Sequence, residues 1–104
     1  MTERMNTPNV EFQQDERFHA GSSSVAWTAV NGKKEIACRV SQELLAGYYG
    51  AGRQPEELIA TFRSHRDVFE QIALEKIRCG DVESDRSGLF ARVVSADYFR
   101  QSSV

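Results

Sequence analysis

Long apolar runs are missing from this sequence. None approaches the roughly 18 consecutive apolar residues that a membrane-spanning helix needs, and residues 1–14, MTERMNTPNVEFQQ, hold no stretch that could act as the apolar part of a signal peptide. The expectations that follow are no membrane association and a cytoplasmic location. An excess of positive charge is also lacking: the formal net charge is -2. A general nucleic-acid binder would carry a clear basic surplus, so the balance argues against one. Cysteine is scarce, with two residues, Cys38 and Cys79, and neither sits in a Cys-x-x-Cys or related spacing. Two free thiols are expected in a reducing compartment, with no metal site and no cofactor motif. The 104 residues suffice for one compact domain. A hydrophobic share of 40% marks it as globular rather than disordered.

Local signals are stronger. Residues 1–8 and 100–104 are polar and read as flexible tails around a single domain at 9–99. NVEF (9–12) suits a short strand, and HAGSSS (19–24) a loop. In SVAWTAVNGKKEIACRVS two β-rich runs flank Asn31-Gly32, a favoured pair for a type I′ turn. With that two-residue loop, Trp27 faces Ile36 and Val25 faces Cys38. Alternation then puts Val25, Trp27 and Ala29 on one face with Ile36, Cys38 and Val40. Cys38 should therefore be buried and its thiol unreactive.

Ser41 is a natural N-cap for a helix at 42–49, with Leu44, Leu45 and Tyr48 directed to the core and Gly50 at its end. GAGRQ (50–54) lacks the Lys-Ser/Thr and the strand-to-helix setting of a phosphate-binding loop, so it reads as a helix–helix turn. Pro55 opens a long helix expected at 55–79, with Glu56 and Glu57 at its positive end. DVESDRSG reads as a polar loop and LFARVV (89–94) as a strand. SADYF then suits one helical turn capped by Ser95, with Tyr98 and Phe99 folded back on the core.

The long helix contains His65-Arg66-Asp67, the triplet that opens a protein-kinase catalytic loop. At about 100° per residue, with Phe62 at 0°, Phe69 falls at about -20° and Ala73 at about 20°, while Arg66 lies at about 40°, His65 at about -60° and Asp67 at about 140°. The three letters point in different directions. The following Asn and the Asp-Phe-Gly of a kinase are absent, so the triplet is a coincidence of spelling. Arg66 alone falls inside the apolar stripe, with Glu70 one turn on as a partner. Two roles stand open for it: an arginine that ties helix to sheet, or an anion site. Lys76, at the stripe's edge, is expected to extend its amine to solvent. No nucleophile–base pairing can be read from spacing.

Taken in order, VAWTAVNGKKEIACRVSQELL, FRSHRDVFEQIALEKI and GLFARVVSADYF resemble the DUF1488 family of small bacterial proteins. The matching positions are Trp27, Gly32, Ile36, Cys38, Phe62, Arg66, Glu70, Ala73 and Lys76, and the resemblance spans residues 9–99. It implies a small α+β domain in the bacterial cytoplasm and implies no activity.

The fold expected is α+β: an antiparallel sheet made of the 25–40 hairpin and a strand at 89–94, packed against helices at 42–49 and 55–79. The leading functional reading is a non-enzymatic interaction or regulatory module with an unidentified protein partner. The alternative is a small-ligand or anion site, enzymatic or not, centred on Arg66 with Glu70. Nucleic-acid binding through Arg53, Arg63 and Arg78 is a weaker third reading, because acidic residues share their helix. Val68 and Leu74, outside the main stripe, are the residues on which a homodimer would close.

Overall fold

The computed structural model describes residues 10–86, 88–94 and 97. In chain order the elements are β1 (Val10–Phe12), β2 (Arg17–His19), β3 (Ser24–Asn31), β4 (Lys34–Ser41), α1 (Gln42–Tyr49), α2 (Pro55–Ser64), α3 (Arg66–Arg78), β5 (Glu83–Asp85) and β6 (Gly88–Val93). They form an open mixed sheet in the order β1-β3-β4-β6-β5, with β2 beside β1 along the same edge of β3. The helices cover one face. Their apolar residues Leu44, Leu45, Leu58, Phe62, Phe69, Ile72, Ala73 and Ile77 share one core with Val25, Trp27, Ala29, Ile36, Cys38, Val40, Ala91 and Val93 of the sheet. Trp27 is fully buried there, its ring 4.6 Å from Phe62 and 6.4 Å from Phe12.

The hairpin forms with the expected faces but a different register. Asn31 pairs with Lys34, so the loop is Gly32-Lys33. Trp27 now faces Cys38, and Val25 faces Val40. Gly32 alone takes a left-handed conformation, at φ 68°. A type I′ turn would need two such residues, whereas a II′ turn needs only the first, which glycine supplies without steric cost. The pairing moves by two positions, so every side chain keeps its face.

The sheet is not wholly antiparallel as expected. β6 lies parallel to β4, with Cys38 opposite Ala91 and Val40 opposite Val93. Parallel neighbours need a crossover, and the three helices between them provide it. β5 arises within the stretch read as a polar loop and pairs antiparallel with β6 at the edge. Tyr48 is 47% exposed. Tyr49, rather than Tyr48, packs against the core, edge-on to Phe69 at 5.5 Å.

The expected single helix at 55–79 is two. His65 adopts φ -127° and ψ 27°, outside helical geometry. Its N–H donates back to Phe62 O in a tightened last turn of α2, while its carbonyl accepts from Val68 and Phe69 to start α3. Neither proline nor glycine causes the break. Contacts from outside the helix hold it: the Tyr49 ring lies 4.2 Å from the His65 ring, and one carboxylate grips the residues on both sides. The helical turn expected around Ser95, Tyr98 and Phe99 lies outside the described residues except for Asp97.

Candidate functional site

That carboxylate belongs to Glu16. Between β1 and β2, residues 13–16 stand opposite only Trp27 and Thr28 of β3, so the edge strand bulges. Asp15 repairs the ladder: its Oδ1 accepts from Thr28 N–H at 2.9 Å and its Oδ2 from the Thr28 hydroxyl at 2.6 Å. Burial alone would raise the Asp15 pKa, but these bonds and Arg17 outweigh it and hold the carboxyl below its usual range. The next residue, Glu16, turns toward the helices. It accepts from Arg63 Nε at 2.5 Å and from Arg66 Nη2. The bond from Arg63, seconded by Arg66, brings the Glu16 carboxyl down to about 2.

Arg66 donates its other arm to Glu70 Oε2 at 3.3 Å and lays its guanidinium over the Phe62 ring at 4.9 Å. Burial works against its charge, but Glu16 and Glu70 more than offset it, and its pKa rises. Burial also raises the pKa of Glu70. The structure thus brings Arg66 and Glu70 together and adds Glu16, which sequence reasoning missed. Glu16 is polar, lies 50 residues from Arg66, and belongs to no periodic pattern. His65 and Asp67 do not join the cluster.

Lys76 does not reach to solvent as expected. Its amine lies 3.1 Å from the buried Asp97 carboxylate, which also accepts from Val94 N–H at 3.0 Å. A full charge at the stripe's edge is thereby matched within the fold. Of the three arginines considered for nucleic acid, Arg63 is held by Glu16, Arg78 lies 3.4 Å from Glu75, and Arg53 is exposed at the turn before α2. Val68 packs against the core. Leu74 lines a shallow hollow of about 280 Å³ with Phe12, Asp67, Glu70 and Gln71.

The sheet face opposite the helices carries a second group of polar residues. Small side chains, Ser24, Ala26 and Ala37, form the floor of a trough between Arg17 and His19 on one side and Phe90 and Arg92 on the other. Arg39 stands in the wall shared by two hollows of about 220 and 250 Å³. It is only 6% exposed, with its guanidinium 4.1 Å from the centre of the Phe90 ring and Nη2 3.2 Å from Asp85. Arg92 is its direct neighbour in the parallel ladder. Its Nε and Nη2 donate to Glu83 at 2.6 to 3.1 Å. Ser24 lies opposite Ser41 in the β3–β4 ladder. At one end, Ser22 Oγ sits 2.5 Å from Ser24 Oγ and 2.7 Å from His19 Nδ1. The same Nδ1 accepts from Ser22 N–H at 3.2 Å, so the pair caps the short turn Ala20–Ser22. Among the described residues no cluster of His, Cys, Asp or Glu has the makings of a metal site, and no helix is long and apolar enough to cross a membrane.

Fold and surface together define a small α+β domain with a half-covered sheet, helices on one side and a hollowed polar face on the other. The family model described as "Protein of unknown function (DUF1488)" matches residues 10–87, and the chain belongs to that family. A crystal structure of a DUF1488 family protein of unknown function from Shewanella loihica PV-4, at 1.60 Å resolution, is similar, with a TM-score of 0.70 at 18% identity. The alignment covers 85% of this chain and 92% of that one, and at this identity it speaks for the fold. No curated protein matches the chain.

Proposed function

We propose that this domain is a non-enzymatic interaction module. Its recognition surface is the sheet face opposite the helices, and its partner is a protein that presents acidic side chains there. The observation carrying this reading is the hollow between Arg39 and Arg92, whose lining, among the described residues, holds two arginines, three serines and a phenylalanine but no acid. At about 250 Å³ it is smaller than the roughly 300–1,000 Å³ of pockets that enclose whole ligands, which suits a single inserted side chain. Both borders of the sheet favour face-on contact. β1, β2 and β5 have three residues each, too short to template an added strand.

For the Arg66 cluster we propose a structural role, because two carboxylates already engage its guanidinium. A photo-cross-linking side chain placed at Glu35, on the trough rim, should yield a defined adduct in cells. The same group at Gln71, on α3, should not. Adducts from Gln71 alone would overturn the assignment of the surface.

A further inference from the structure

We propose that the hollow bounded by Ser22, Ser24, Arg39, Ser41, Phe90 and Arg92 is a receptor for one carboxylate, and that Glu83 sets its affinity by competing for Arg92. The inference rests on the interaction-module reading for its biological partner, but the receptor itself is testable with small anions and no partner protein.

The register builds the site. Arg39 and Arg92 are adjacent partners in the β4–β6 ladder, on the face the helices leave uncovered. Like charges side by side on a sheet repel unless counter-charges are supplied. β5 supplies them: Asp85 meets Arg39 and Glu83 meets Arg92. These acids fix both guanidinium groups without filling the hollow, whose lining contains neither acid.

The donors are unequal. Arg92 gives Nε and Nη2 to Glu83, and its Nη1 has no partner among the described residues. Ser41 Oγ accepts from Leu44 N–H at 3.1 Å as the cap of α1, which leaves its own proton to donate. Ser22 and Ser24 are bonded to each other and form a polar wall. Arg39, nearly buried and stacked on Phe90, contributes fixed positive charge.

This set suits a monoanion better than a phosphate dianion. Each arginine already has a carboxylate, so little surplus positive charge remains to offset the desolvation of two negative charges. A planar carboxylate needs only two converging donors and matches a guanidinium edge. Glu83 is itself such a carboxylate on the same guanidinium and is half-exposed, so it acts as an internal competitor.

Amide shifts of ¹⁵N-labelled protein during titration with sodium acetate test the proposal, with inorganic phosphate as the second arm at constant ionic strength. The expected result is saturable acetate-dependent shifts around residues 22–24, 39–41 and 90–92. Binding should weaken about tenfold in Arg92→Gln and tighten several-fold in Glu83→Gln. Phosphate should bind more weakly than acetate. Saturable phosphate binding without acetate binding would overturn the carboxylate assignment. Shifts elsewhere, or affinities unchanged in both variants, would overturn the site. Both substitutions lie on exposed side chains, and a preserved amide spectrum checks their folding. Failure of the cross-linking experiment with retained acetate binding would refute the partner surface while leaving the receptor standing.

Discussion

Glu16 and Arg66, 50 residues apart in sequence, form the ion pair that fastens the sheet's bulged edge to the first turn of α3. Arg63, in the last turn of α2, shares the same carboxylate. One side chain therefore bridges the two helices across the break at His65. The side chain of Glu16 is 6% exposed and that of Arg66 18%, so removing the acid leaves a part-buried cation with Glu70 as its remaining carboxylate. Glu16→Ala should cost about 1–3 kcal/mol, the range for losing charge-assisted hydrogen bonds to a part-buried group. Glu70→Ala removes only a neighbour one helical turn away and should cost less than about 1 kcal/mol. Urea unfolding of the two variants checks the order; equal costs would contradict the central place given to Glu16.

The same pair sets an acid limb. The folded carboxyl of Glu16 lies at about 2, against an ordinary value of 4.5. A depressed acid contributes stability above its unfolded value and loses it as pH falls toward the folded one. Asp15, also depressed, acts in the same direction. Glu70 is raised, so it acts in the opposite direction and recovers a little stability on acidification. Wild-type protein should lose stability between pH 4.5 and about 2. In Glu16→Gln that limb should be shallower, as read from urea midpoints across the pH range.

Thiol chemistry should separate the two cysteines. Cys38 is fully buried on the helix-facing side of β4, and burial pushes its pKa up to about 12. Cys79 is exposed at the end of α3. Iodoacetamide at neutral pH should modify Cys79 alone in native protein and both residues in denaturant, as mass spectrometry would show. Native labelling of Cys38 would mean that the core opens on the labelling timescale.

The hairpin loop offers a backbone test. Gly32 is left-handed, and a methyl group there would meet nothing within 4 Å. Gly32→Ala should therefore cost about 1–2 kcal/mol through conformation alone. Asn, which tolerates this region better, should cost less. Thermal unfolding of the pair checks the difference.

What was legible beforehand came from local pattern. Ser41 caps α1, Gly50 ends it, and Pro55 opens α2 because each residue acts on its own few neighbours. Alternation assigned the faces of Trp27 and Cys38, yet left their partners wrong by two, since that shift preserves every face. The strand at β6 was legible while its direction was not: Leu89, Ala91 and Val93 alternate the same way read parallel or antiparallel. The break at His65 carries no proline or glycine and depends on Tyr49 and Glu16. The candidate surface was not legible: no local pattern singled out Arg39. Its burial depends on Phe90 and Asp85, which reach it only through pairing across the fold.

The short borders of the sheet have a kinetic consequence. β1, β2 and β5 expose at most three residues of strand edge apiece, and the bulge at 13–16 interrupts the longer side. Among the described residues, native molecules that collide in concentrated solution thus meet only short strand edges on which to add. Loss through edge-to-edge pairing should therefore start from unfolded molecules, and that part of the storage loss should follow the unfolding rate.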